Sequence, residues 1–183
     1  MSIRPVRIYG DPVLRQKSGM VTAFDEELRQ LVADMHETMH VYRGVGLAAN
    51  QIGVAQRVIV VDVPLDDEEH AVHTLVNPEI RSRSGSESGE EGCLSMPGIY
   101  EDVTRSLKVS VRAHDEQGQS FELEAEGYLA RALQHEIDHI DGVLFVDRLS
   151  PLKRQFLRRT LEAMARGELP EGHSPKQAKG EDI

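Results

Sequence analysis

The stretch Gln134-His135-Glu136-Ile137-Asp138-His139 closes a run, Gly127 to Ile140, whose apolar residues recur at helical spacing. Leu129, Ala132, Leu133, Ile137 and Ile140 make one face at about 100° per residue. His135 and His139 stand at i and i+4 on its edge, one turn apart, where both rings can reach one metal ion. Glu136 falls inside the apolar face. An isolated carboxylate there is costly, so it needs a raised pKa or a nearby cation, and either makes it useful as a general base. A buried helix with incidental polar residues is the bland alternative.

The pattern H-E-x-x-H occurs a second time, at His36-Glu37-Thr38-Met39-His40. Here the apolar stripe is Leu28, Leu31, Val32, Met35, Met39 and Tyr42. Glu37 lies nearly opposite and is expected to face water, with His36 and His40 flanking the stripe. The first copy therefore reads as an ordinary amphipathic helix.

Working outward, the 183 residues fit one domain with a sizeable, largely aliphatic core, since Trp is absent. The formal net charge of −10 argues against general nucleic-acid binding. No apolar run approaches a membrane span, and the start lacks a signal-peptide core. A single cysteine, Cys93, excludes an internal disulfide. These features read as a cytoplasmic protein.

Asp11-Pro12 starts a short helix, and Asp25 to Tyr42 is the first long one, ended by Gly44-Val45-Gly46. Arg57 to Val63 is a buried strand, Pro64 to Glu69 an acidic loop, and His73 to Ile80 a strand with a bend at Asn77-Pro78. Arg81 to Glu90 reads as a mobile or hairpin segment. Leu107 to His114 and Phe121 to Ala125 form a hairpin around Asp115-Glu116-Gln117-Gly118. Leu144 to Val146 reads as a short strand. Ser150-Pro151 opens a last helix to about Arg166, giving a domain over 1–166 and an expected disordered tail over 167–183. Strands and helices mix without βαβ alternation, so the class is α+β.

A catalytic metal needs three protein ligands and an open position. Cys93, in Glu91-Gly92-Cys93-Leu94-Ser95, offers a thiolate suited to a divalent transition metal; a buried structural cysteine is the alternative. Gly44-Val45-Gly46-Leu47-Ala48-Ala49 matches a loose dinucleotide pattern, but a helix precedes it and a strand follows, the wrong context for a nucleotide. The glycines instead permit close backbone approach and deliver Gln51, whose carboxamide is an oxyanion donor or a buried, satisfied amide.

Taken together, Gly44–Gln51, Glu91–Ser95 and Gln134–His139 resemble the three signature segments of the peptide deformylases. Arg7–Leu14 and Asp147–Lys153 extend the likeness to nearly the whole chain. The resemblance implies antiparallel sheets wrapped around a central metal-binding helix, with a long N-terminal helix and a C-terminal one. It implies Cys93, His135 and His139 as ligands of one divalent ion, ferrous iron in the family's typical case, with zinc, nickel or cobalt able to substitute. The implied reaction removes the formyl group from N-formylmethionine on nascent polypeptides. Glu136 would be the base, and the Gln51 side chain and Leu94 N–H the oxyanion donors. Val45, Gly46 and Gly92 would line the substrate. Glu91 and Arg105 match the family's brace for the Cys93 loop, and the basic last helix matches a ribosome-docking helix in some members.

Other readings of the same residues stay open at this point. They are a zincin-like metallopeptidase with Asp141 or Asp147 as third ligand, a non-enzymatic metal-binding module, and a cysteine hydrolase built on Cys93 and a histidine.

Overall fold

The computed structural model describes residues 2–65 and 69–170. The elements run α1 (Glu26–Val41), β1 (Gly46–Ala48), β2 (Val58–Pro64), β3 (His70–Ser84), β4 (Glu87–Cys93), β5 (Met96–Arg105), β6 (Lys108–His114), β7 (Ser120–Glu126), α2 (Gly127–Ile140) and α3 (Pro151–Ala165), with short 3₁₀ turns between. All pairing between these named strands is antiparallel. β1-β2-β3-β6-β7 form one sheet, and β4-β5 form a second.

The large sheet separates two helices, and β2 shows why. Its run of Val and Ile is buried on both faces, and alternate side chains point to opposite sides. Ile59, Val61 and Val63 join Leu133, Ile137 and Ile140 of α2 in one apolar cluster. Val58 and Val60 join Leu28, Met35 and Met39 of α1 in another. A third cluster gathers Met96, Ile99 and Val103 of β5 with Phe145 and with Leu161 and Met164 of α3. The helix α2 packs its apolar face on the large sheet and reaches both strands of the second through Arg131, as expected of a helix wrapped by antiparallel sheets.

The helix ends follow their capping residues. Asp25 accepts the Leu28 N–H at 3.1 Å, and Ser150 accepts the Lys153 N–H with Pro151 in the first turn. No helix among the described residues is long and apolar enough to cross a membrane.

Several expected elements differ. The strand expected over 73–80 runs from His70 to Ser84, because the bend at Asn77 is absorbed as a register shift inside β3. Asn77 sits at φ 53°, and its side chain holds both backbone polar groups of Val21. Arg81–Glu90 is neither loose nor a paired hairpin: β3 ends, the chain turns at Gly85, and β4 leaves for the second sheet. Leu144–Val146 is not a strand. Asp147 accepts the Leu144 N–H and folds Phe145–Arg148 into a 3₁₀ turn. Of the acidic loop, 66–68 lie outside the described residues. Of the expected tail, Leu169 packs on the third cluster, and 171–183 lie outside the described residues.

The first H-E-x-x-H copy holds no common site. His36 Nε2 meets Thr74 Oγ1 at 2.9 Å and His40 Nε2 meets Asp62 at 2.7 Å. Glu37 is half-buried rather than turned to water. The N-terminal segment packs against α1, where Asp34 and Thr38 accept the backbone N–H groups of Ser2 and Arg4.

Candidate metal centre

Cys93 ends β4 at a register shift against β5, which turns its side chain toward α2. His135 and His139 reach the same point from one face of α2, with ring centroids 5.0 Å apart. Cys93 Sγ lies 3.2 Å from His139 Nε2, and the three ligand atoms are all within 4.8 Å of one another. Ligands sharing one ion at ordinary metal–sulfur and metal–nitrogen lengths stand roughly 3.5 Å apart, so the spacing suits a shared ion. One thiolate with two imidazoles also suits divalent transition metals chemically. Asp141 and Asp147 are engaged elsewhere, with Arg57 and Arg15.

The histidine rings are set by what lies behind them. His135 Nδ1 donates to Glu91 Oε2 at 2.9 Å, which leaves Nε2 for the centre. Glu91 in turn accepts two bonds from Arg105, at 2.8 and 2.9 Å. Both side chains are almost fully buried, so this is no surface pair. Arg105 and Arg148 meet on Asp138, which sits on α2 between the two histidines. Burial alone raises the Glu91 carboxyl. The bonds from Arg105 and His135 outweigh it and bring the pKa down to about 2.

Glu136 is buried beside this network, and its Oε2 has no hydrogen-bond partner among the described residues. Burial pushes its pKa up to about 7, with His135 pulling it down and Glu91 pushing it further up. An orphaned buried carboxylate oxygen next to three converging ligands is what a site completed by a cation and water leaves behind.

The other candidate residues surround the same cleft, which has a volume of about 860 Å³ and whose walls include Val45, Gly46, Gln51, Gly92, Leu94 and Glu136. Gln51 Oε1 accepts the Ala48 N–H at 2.8 Å. This turns the carboxamide nitrogen inward, 3.1 Å from Ser95 Oγ and 3.6 Å from Cys93 Sγ. Val45 and Gly46 lie at β1, the terminal strand of the large sheet, and Gly92 lies on β4. Gly46 is beneath Glu136: a Cβ there would stand 2.5 Å from Oε1.

Sequence reasoning missed Tyr100, Tyr128, Arg131 and Ala132, which also line the cleft. Arg131 and Tyr128 share the histidine face of α2, so the i, i+4 spacing back from His135 is the signal that finds Arg131.

A sulfur and two imidazoles beside a buried, unpaired carboxylate, at the floor of an open cleft, define a metal-dependent hydrolase. The family model for polypeptide deformylase matches residues 3–155. The chain belongs to the peptide deformylase family, whose members remove the formyl group from the N-formylmethionine of nascent polypeptides. It is 49% identical over 166 residues to a peptide deformylase of Alkalilimnicola ehrlichii, covering 91% of this chain and 93% of that relative. A crystal structure of a peptide deformylase from Legionella pneumophila superposes with a TM-score of 0.82 at 49% identity, covering 92% of this chain and all of that one. The enzyme from Ehrlichia chaffeensis in complex with actinonin superposes at 0.83 with 38% identity, over 88% of this chain and 97% of that one.

Proposed function

We propose that this chain deformylates nascent polypeptides at the cleft between β1 and β4, with Cys93, His135 and His139 holding one divalent ion and Glu136 serving as the base. The observation that carries the reading is the convergence of Cys93 Sγ with both rings of α2 beside the unpaired Glu136 carboxylate. Ferrous iron is the ion the family resemblance favours, with zinc, nickel or cobalt as substitutes. Such an ion would supply Lewis acidity, making water a nucleophile near neutral pH and polarising the formyl carbonyl.

The protein's own groups do the rest. Glu136 accepts a proton from the attacking water and returns it to the amine nitrogen as formate leaves. The Gln51 carboxamide N–H and the Leu94 backbone N–H stabilise the oxyanion that develops on the formyl oxygen. Gly46 on the terminal strand β1 and Val45 just before it, with Gly92 on β4, take the substrate main chain as an added strand. Such pairing tolerates any downstream sequence. Residues 1–166 suffice as the catalytic domain.

The work takes place in the cytoplasm, where nascent chains emerge. Helix α3 exposes Arg154, Arg158 and Arg159 around its circumference, with exposed Leu152 and Phe156 beside Arg159, and we assign this basic helix to ribosome contact. The central test is a formate-release assay on formyl-Met peptides with metal analysis of the same sample. Chelation abolishes release, and unblocked peptides are not cleaved. Activity that persists without metal, or peptide cleavage without formate, overturns the reading.

A further inference from the structure

Arg131 is buried one helical turn before His135 on α2, and its side chain leaves that helix for the second sheet. Its Nη1 donates to Val103 O at 2.8 Å and to Glu91 Oε1 at 2.9 Å, with Gly89 O at 3.2 Å sharing the same group. Its Nη2 donates to Glu87 O at 3.0 Å. Gly89 and Val103 are register partners across β4 and β5, so one guanidinium straddles both strands of that sheet. Gly89 leaves room for this close approach: a Cβ there would stand 3.1 Å from the guanidinium, tight enough to shift it by a few tenths of an ångström.

Two consequences meet at the proposed ion. The strand β4 ends in Cys93, four residues beyond Gly89, while α2 carries both histidines. Arg131 is thus a direct tie between the segment bearing the sulfur and the helix bearing the imidazoles. It also completes the set of donors on Glu91. Oε1 takes Arg105 and Arg131, and Oε2 takes Arg105 and His135. With those positions filled, the carboxylate has one orientation, and so does the His135 ring that it holds.

Resting on the metal assignment above, we propose that Arg131 is a positioning residue for the metal centre: it sets the spacing of Cys93 from His135 and His139 and locks Glu91 behind His135. A planar fork with several donors is required. A lysine offers a point charge that cannot serve two strands and a carboxylate together.

The test compares the Co²⁺-loaded wild-type enzyme with Arg131→Met and Arg131→Lys. Thiolate-to-cobalt absorption, the rate of Co²⁺ loss to a chelator, and kcat and KM for a formyl-Met peptide are measured. Both variants are expected to lose Co²⁺ about 10–100-fold faster and to show altered cobalt absorption, with kcat reduced more than KM is raised. Arg131→Lys keeps the charge and serves as the folded variant should Arg131→Met fail to fold. Wild-type absorption and Co²⁺ retention in Arg131→Lys overturn the proposal, as does a change confined to KM, which would make Arg131 only a wall of the cleft. Absence of thiolate-to-cobalt absorption in the wild type itself overturns the metal assignment, and with it this inference.

Discussion

Gly46 supports the Glu136 carboxylate from below: a Cβ at position 46 would come within 2.5 Å of Oε1 and 2.9 Å of Cδ and Cγ. No side chain fits without moving the base. Gly46→Ala is expected to lower kcat about 100-fold, the scale of an ångström-level displacement of a reacting group. The bound ion should stay, because the ligands lie on other segments. Metal analysis beside formate-release kinetics checks this, and loss of metal from Gly46→Ala would count against it.

Glu136→Gln keeps the shape of the side chain and removes its basicity. We expect stoichiometric metal and formate release reduced by about 10²–10⁴-fold. Near-normal turnover would refute Glu136 as the base.

Gln51 is held by Ala48 and Ser95 with its nitrogen turned toward the centre. Gln51→Ala is expected to cost about 10²–10³ in kcat, the usual effect of removing one oxyanion donor, with little change in KM. A rise in KM at constant kcat would assign Gln51 to ground-state binding instead.

Arg105 joins Glu91 to Asp138, and all three are buried. Arg105→Ala strips both acids of a shared partner. Breaking such a pair from one side costs on the order of 3–5 kcal/mol. Urea unfolding of the metal-free protein isolates this term, and an unchanged midpoint would show that the pair contributes nothing to the fold.

Acid should loosen the N-terminal segment. Burial raises the Asp34 carboxyl, but bonds from Arg4, Ser2 and Gln30 outweigh it and bring the pKa from 3.8 down to about 2. A depressed folded-state pKa stabilises the fold above the unfolded value and loses that contribution as pH falls from about 4 toward 2. Because Arg4 is half exposed, the contribution is about 1 kcal/mol. Asp34→Asn should flatten the stability–pH curve in that window, as read by thermal unfolding. A curve parallel to that of the wild type would contradict the assignment.

The helices were legible because their information is local. Asp25, Ser150 and the apolar spacing of α1 and α2 mark helix positions without reference to the rest of the chain, and Glu136 inside an apolar face marked the site. The strand β5 left no such mark: Pro97 and Gly98 interrupt it, and it forms only because β4 lies opposite. The length of β3 was hidden for a similar reason. Asn77 looks like a bend until its side chain is seen holding Val21, a partner 56 residues away. Glu37 was misplaced because helical periodicity alone does not show which parts of the chain pack around a helix. The i, i+4 spacing from His135 places Arg131 on the histidine face, but its role was not legible, because its partners are mostly backbone carbonyls of another sheet.

The alternating acids and bases behind α2 join it to β4, to β5 and to the turn at Arg148 through protein groups alone. None of these ties is routed through an ion, so they are expected to persist when the metal is removed. Stripping the enzyme should leave an empty but folded vessel, so one transition metal can be exchanged for another on the bench without passing through the denatured chain.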